Sequence, residues 1–312
     1  MGPTGVGKTE LALRVAEHVD SPVISCDSRQ VFREIPIATA APTAAEQARV
    51  KHYFVSTRSV TDDYSAGQYE RDALTLINTL FADHDTLVVT GGSMLYADAL
   101  CHGLDDLPKV PEQIRKQVQR DHVRCTKEEW LKWLQSEVQR LDPDYWETVD
   151  RQNPARLSHC VELCLTTGKP YSSLLTKELG IRNQESGRPF RIVKVGLERP
   201  REELYQRINR RVEQMIADGM EAEAKTVYPL RHLPALQTVG LREMFDYFDG
   251  KYDLDRAIEL IQQNTRHYAK RQLTWFRRDK EIYWLDANQP YETNIHTIDT
   301  LLCADGVQKS DC

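Results

Sequence analysis

No run of about 18 apolar residues occurs in the 312-residue chain, so no membrane-spanning helix is expected. Glycine (15) and proline (14) are too few for a collagen-like or mucin-like chain. With 40% hydrophobic and 28% charged residues, the chain is not of the fully disordered class either. Its length suits one large domain or two, at roughly 100–200 residues per domain. The seven cysteines are odd in number and scattered, and no C-x-x-C pair is present. That pattern supplies neither a disulfide framework nor paired zinc ligands, and it reads as reduced thiols in a cytoplasmic setting. Cys160 and Cys164, beside His159, are spaced as neighbours on a buried helix. There is no excess of positive charge: 41 Lys+Arg against 47 Asp+Glu gives −6. This excludes a nucleic-acid coat over the whole surface and leaves room for a local basic patch. The start, MGPTGVGKTE, has neither the charged-then-apolar character of a secretory signal nor that of an Arg-rich transit peptide. GTPase base-reading signals of the N-K-x-D type are absent. So is an apolar run ending in paired acidic residues, as in motor ATPases.

What is present begins with alternation. Residues 10–19 carry Leu11, Leu13, Val15, Ala16 and Val19 at helical spacing, and 22–26 form a short apolar run ending at Asp27. Residues 65–82 read as a helix, and 86–90 as a buried strand running into Gly91-Gly92. Strands alternating with helices imply a parallel sheet covered on both faces, with ligands beyond the C-terminal strand ends. Asp27, Gly91, Gly92 and Ser93 fall on that edge. The acidic, Pro-bearing stretch 105–111 reads as a linker. From 111 to about 180 the pattern is helical, and Gly168 is expected to end one of these helices. Residues 190–197 return as a strand, then 201–218, 220–228, 238–248 and 254–275 read as helices; after 287 little signal remains. The expected organisation is a core, 1–108 with 186–312, interrupted by a helical insertion, 109–185.

Gly2-Pro3-Thr4-Gly5-Val6-Gly7-Lys8-Thr9 fits G-x-x-x-x-G-K-[ST]. Glycines let backbone amides converge on phosphate oxygens, Lys8 neutralises a terminal phosphate, and the Thr9 hydroxyl suits Mg²⁺. The fold class expected is therefore α/β, a P-loop NTPase-like parallel sheet with flanking helices plus the helical insertion. In such folds the loop follows a strand, yet only Met1 precedes Gly2. The first strand is thus expected to be missing from this chain, through truncation or a misplaced start. The motif specifies a phosphate ester or diphosphate, and small-molecule kinases and transferases both remain.

The loop's neighbours narrow the choice. Ser25-Cys26-Asp27-Ser28-Arg29-Gln30-Val31-Phe32, Ala38-Thr39-Ala40-Ala41-Pro42, Gly91-Gly92-Ser93-Met94-Leu95-Tyr96, Asn153-Pro154-Ala155-Arg156-Leu157, Val239-Gly240-Leu241-Arg242-Glu243 and the run from Thr265 to Trp275 resemble the bacterial tRNA dimethylallyltransferases. The resemblance covers the chain from Gly2 to about Leu285. It implies transfer of a dimethylallyl group from its diphosphate to the exocyclic amine of the adenosine just 3′ of the anticodon. It further implies Asp27 as the base, Arg211 as a diphosphate ligand and Ser93 as a residue orienting the target nucleotide. Gly2 to Thr9 would cradle the diphosphate, with Mg²⁺ at Thr9. Ser93 stands where the family usually has threonine, so the hydroxyl is kept. Ala38, Ala41, His159 and Leu241 replace a usual glycine, lysine, arginine and tyrosine.

An RNA surface is expected despite the net charge. Arg266, Lys270 and Arg271 are crowded into one helical run, interleaved with Tyr268 and Trp275. Such a face offers phosphate contacts and stacking platforms. Ser28, Arg29 and Gln30 flank Asp27 where they would read base edges. Arg156, His159 and Lys169 would make the insertion a clamp on the anticodon stem-loop, and Arg242 completes the set. The expected partners are tRNA and dimethylallyl diphosphate, with no membrane and a monomeric chain. Two competing readings remain at this stage: a small-molecule kinase using the same loop for ATP, and an RNA-binding protein with a vestigial phosphate loop.

Overall fold

The computed structural model of the chain describes residues 1–105, 107–175 and 188–304. The expected limit of the insertion at 185/186, and the end of its helical pattern near 180, lie outside them. Two compact units result: Met1–His102 with Arg188–Cys312, and Gly103–Gly187.

In the core unit, helix α1 (Lys8–His18) follows the phosphate loop and buries Leu11, Leu13, Val15 and Ala16. Strand β1 (Val23–Ser25) is fully buried. The short helix α2 (Ala44–Arg49) starts at a Thr43–Glu46 capping box and leads to β2 (His52–Tyr53). Helix α3 (Ala66–Leu80), capped by Ser65, buries Tyr69, Ala73, Ile77 and Leu80, one stripe at helical spacing. Strand β3 (Val88–Thr90) then runs into helix α4 (Met94–His102).

The second unit is helical: α5 (Glu112–Arg124), α6 (Lys127–Leu141), α7 (Pro143–Thr148) and α8 (Pro154–Thr167). Its core gathers Leu134, Val138, Leu157, Val161 and Leu163, with Trp130, Leu131 and Trp133 packed against them. Gly168 ends α8 in the left-handed conformation (φ 68°), which glycine adopts without Cβ penalty.

The chain re-enters the core with β4 (Val195–Glu198). Helices α9 (Arg201–Ala217), α10 (Met220–Val227), α11 (Leu241–Phe248) and α12 (Leu254–Phe276) follow, then β5 (Tyr283–Asp286) and α13 (Tyr291–Cys303). The expected strand over 190–197 is shorter and later. Lys194 is buried against Asp279 (2.9 Å) and Glu281 (2.5 Å), and Arg191 donates to the carbonyls of Leu301 and Leu302. The Lys194 carbonyl accepts from Tyr283 N–H of β5 (2.9 Å), and no described backbone hydrogen bond joins residues 190–193 to that strand. The tail expected to carry little signal instead forms α13, which packs Ile298 into the core with Tyr291, Ile295 and Leu302 beside it.

The strands form two parallel pieces, β2-β1-β3 and β4-β5. Met1 lies at the edge of the second piece: its amino group donates to Val195 O (2.6 Å), and Leu197 N–H donates to Met1 O (2.9 Å). No described helix is long and apolar enough to cross a membrane. The described cysteines form no disulfide.

Candidate active site

The phosphate loop turns through Gly5 (φ 80°) and Gly7 (φ 112°), a region closed to most side chains, and delivers Lys8 at the first turn of α1. The Lys8 ammonium donates to Pro3 O (2.8 Å), curling back over the loop. Burial, and then the nearby Arg211 guanidinium, push the Lys8 pKa down to about 8; Asp27 opposes the shift. Arg211 on α9 is likewise lowered, by burial first, and Asp27 again opposes. Two cations therefore share a desolvated space with one carboxylate, an excess of positive charge that a diphosphate would relieve. Two more arginines brace the loop from outside. Arg207 Nε donates to Gly5 O (2.9 Å) and Arg199 Nε to Val6 O (3.4 Å).

Asp27 follows the C-terminal end of β1. Its Oδ1 accepts from the amides of Arg29 (2.8 Å) and Gln30 (3.3 Å), which fixes the carboxylate at the head of a turn. No described residue donates to Oδ2. Ser93, buried at the end of β3, accepts from Ser28 N–H (2.7 Å) and lies 3.0 Å from the Ser28 hydroxyl. The hydroxyl retained at this position therefore holds the Asp27 turn. The close approach of β3 to β1 needs glycine at 91: a Cβ there would stand 2.0 Å from Cys26 O. Tyr268 on α12 reaches the same space, and burial, then Asp27, push its phenol up to about 12. The sequence reading singled it out only as one of several interleaved aromatics.

Arg29 and Gln30, expected to read bases, are engaged within the protein. Arg29 Nη1 donates to Ala235 O (2.8 Å) and Pro234 O (3.1 Å). Gln30 Nε2 donates to Ala40 O (3.0 Å), and Arg211 reaches the same carbonyl (3.4 Å). Ala40 itself has φ 45°, a left-handed conformation uncommon for alanine, with these two donors on its carbonyl. Glu223 fixes the start of that loop by accepting from Ile37 N and Ala38 N, each at 2.8 Å.

On α12, Arg266 donates to Asn209 Oδ1 (2.6 Å), whereas Lys270 and Arg271 are exposed, as is Arg242 on α11. Leu241, by contrast, is fully buried in the core with Met244 and Leu236. In the second unit Arg156 is exposed in the first turn of α8. His159 is half-buried edge-on to Tyr171, and burial lowers its pKa. Cys160 and Cys164 are buried beside Asp142, with one potential ligand atom from each within 4.8 Å of the others. The Asp142 carboxylate is already committed to Tyr145 N–H, Ser172 N–H and Ser172 O–H. This cluster therefore closes helix ends and a turn, in keeping with the buried-helix reading of the two thiols.

Comparison with known proteins agrees with this geometry. A family model described as IPP transferase matches residues 30–279. The chain is 50% identical over 292 residues to tRNA dimethylallyltransferase 1 of Phocaeicola vulgatus, covering 94% of each chain. It is 51% identical over 284 residues to tRNA dimethylallyltransferase 2 of Porphyromonas gingivalis, covering 91% of each. Its structure is similar to that of a tRNA isopentenylpyrophosphate transferase from Bacillus halodurans, with TM-score 0.69, 30% identity, and 97% and 94% of the two chains covered. A eukaryotic dimethylallyltransferase solved acting on tRNA shares the fold at TM-score 0.76 and 22% identity, covering 99% of this chain and 80% of that one. Glycine-rich anion loop, aspartate-headed turn and matched sequence together place this chain in the IPP transferase family.

Proposed function

We propose that this protein transfers the dimethylallyl group of dimethylallyl diphosphate to the exocyclic amine of the adenosine 3′-adjacent to the tRNA anticodon, releasing diphosphate. The observation that carries the reading is the glycine-turned loop that curls Lys8 back onto Pro3 O, with Arg211 and Asp27 near enough to shift its pKa and Asp27 acting on both cations. The amine is a poor nucleophile because its lone pair is delocalised into the purine. As its nitrogen bonds to C1 of the dimethylallyl group, the C1–O bond to diphosphate breaks and Asp27 Oδ2 accepts the amine proton. The electron pair of the broken bond leaves on the diphosphate oxygen, whose charge is met by Lys8, Arg211 and the amides of Gly5 to Thr9. Ser93 holds the turn that aims Asp27. The target base must leave the anticodon stack to reach this site.

Mg²⁺ fits the donor set: among the described residues no group hydrogen-bonds the half-buried Thr9 hydroxyl at the head of α1. Mg²⁺ characteristically takes few protein ligands beside substrate phosphates and water. When bound, it would neutralise part of the diphosphate charge.

Lys270, Arg271 and Arg242, all exposed, supply phosphate contacts, and Arg156, His159 and Lys169 make the helical insertion a tRNA clamp. All these groups come from one chain, which acts as a monomer in the cytoplasm. Incubation with labelled dimethylallyl diphosphate and an anticodon stem-loop tests the reading. Label is expected in the RNA. ATP turnover with a small acceptor and no prenyl transfer, or RNA binding with neither activity, would contradict it.

A further inference from the structure

Gln272 lies on α12 with 2% of its surface exposed, a burial at which an unpaired amide is costly. Both ends of the amide are used, on two different loops of the site. Oε1 accepts from Thr4 N–H in the phosphate loop (2.9 Å), and Nε2 donates to Gly92 O (2.7 Å) in the turn that presents Ser93. The fit leaves no slack. A Cβ on Gly92 would stand 2.5 Å from Gln272 Nε2, 3.4 Å from Gly2 O and 3.5 Å from Lys8 Nζ. Three elements thus meet at one amide: the diphosphate cradle, the turn that holds Asp27 through Ser93 and Ser28, and the helix that carries Tyr268, Lys270 and Arg271. The leaving-group side and the proton-accepting side of the site are connected here by two hydrogen bonds.

We infer that Gln272 is a positioning residue that sets the separation between the phosphate loop and the Gly92–Ser93 turn, and so aligns diphosphate with the incoming amine. The catalytic part of this inference rests on the proposed prenyl transfer; the clamp itself does not. Misplacement on the scale of an ångström costs about 10²-fold in rate when the reacting atoms need alignment. Because Gln272 touches two backbone groups and neither substrate, its loss should lower kcat and spare binding.

Two variants separate positioning from folding. Gln272→Met keeps the length and removes both bonds. It should lower kcat by about 10–100-fold at every pH, with Kd for pyrophosphate and for the stem-loop within about threefold of wild type. Gln272→Glu keeps the acceptor for Thr4, but when ionised it sets a carboxylate oxygen against Gly92 O. When protonated its O–H donates to Gly92 and both bonds return. Burial raises the pKa of such a carboxyl, so the kcat ratio of Gln272→Glu to wild type should climb as pH falls, whereas that of Gln272→Met stays flat. Amide hydrogen exchange provides a readout independent of the transferred group. Protection at Thr4 should collapse in Gln272→Met while β1 and α3 stay protected. A pH-independent kcat ratio for Gln272→Glu, a kcat loss that tracks loss of melting temperature, or Thr4 protection retained in Gln272→Met would overturn the inference. Absence of prenyl transfer by the wild-type chain would overturn the proposed function and the alignment role, and the exchange measurement would then decide the clamp alone.

Discussion

The two units of the chain spend their buried polar groups differently. In the helical unit such groups close local hydrogen bonds. Buried Asp142 caps α7 and holds Ser172, while at the surface Thr126 and Glu129 form a capping box on α6 and half-buried Asn153 caps α8. In the core unit the buried charges around the phosphate loop lack balance. Burial lowers both Lys8 and Arg211, Arg211 lowers Lys8 further, and Asp27 opposes both shifts. Locally satisfied polar groups stabilise a fold, while a desolvated site with surplus charge and few partners is organised for something it binds. The contrast places the surplus buried charge in the core unit and leaves the Asp142 cluster of the insertion with a structural part.

The sharpest way to break the contrast is at Asp27. Asp27→Asn keeps the oxygen that accepts from Arg29 and Gln30, so the turn should survive. Prenyl transfer should fall by about 10²–10⁴-fold, with pyrophosphate affinity nearly unchanged; single-turnover transfer and calorimetry check both. Asp142→Ala should do the reverse. Removing an acceptor from three donors around a buried site should cost about 2–4 kcal/mol of stability, read by denaturant unfolding, with pyrophosphate binding unaffected.

A smaller effect is expected from pH. Lys8 in the free protein titrates near 8, below its ordinary 10.5, so its protonated form is lost as pH rises through about 8. A bound diphosphate favours that form. Pyrophosphate affinity should therefore fall about tenfold as pH rises from 7 to 9.5, with proton uptake on binding near pH 8. Lys8→Met should bind weakly and without this dependence. The smallest effect is expected at the exposed basic face. Lys270→Ala and Arg271→Ala should each reduce the salt dependence of stem-loop binding by about one unit of slope, leaving melting temperature and pyrophosphate affinity unchanged.

Much of this site was legible in the sequence because its signals are local. Eight consecutive residues specify the phosphate loop, and Asp27 follows directly on a short apolar run that reads as a strand in the alternating pattern. Gln272 was not legible as a contact, because its partners Thr4 and Gly92 lie 268 and 180 residues away. Arg29 and Gln30 looked free beside Asp27 for the same reason: the carbonyls of Ala235 and Ala40 that engage them become neighbours only on folding. The missed helix α13 teaches another lesson. Its apolar residues Tyr291, Ile295, Ile298 and Leu302 recur at helical spacing, but the Thr and Asn residues between them weaken the propensity, and packing against the core restores it.

The central claim is that the adenine amine itself displaces diphosphate. The most direct test compares two stem-loops, one with adenosine and one with purine riboside, which lacks the exocyclic amine, at the target position. The account predicts that adenosine gains one dimethylallyl group on that nitrogen for each diphosphate released, and that the purine riboside RNA yields neither product. Diphosphate release at equal rates from both RNAs, or label on any other atom, would contradict it.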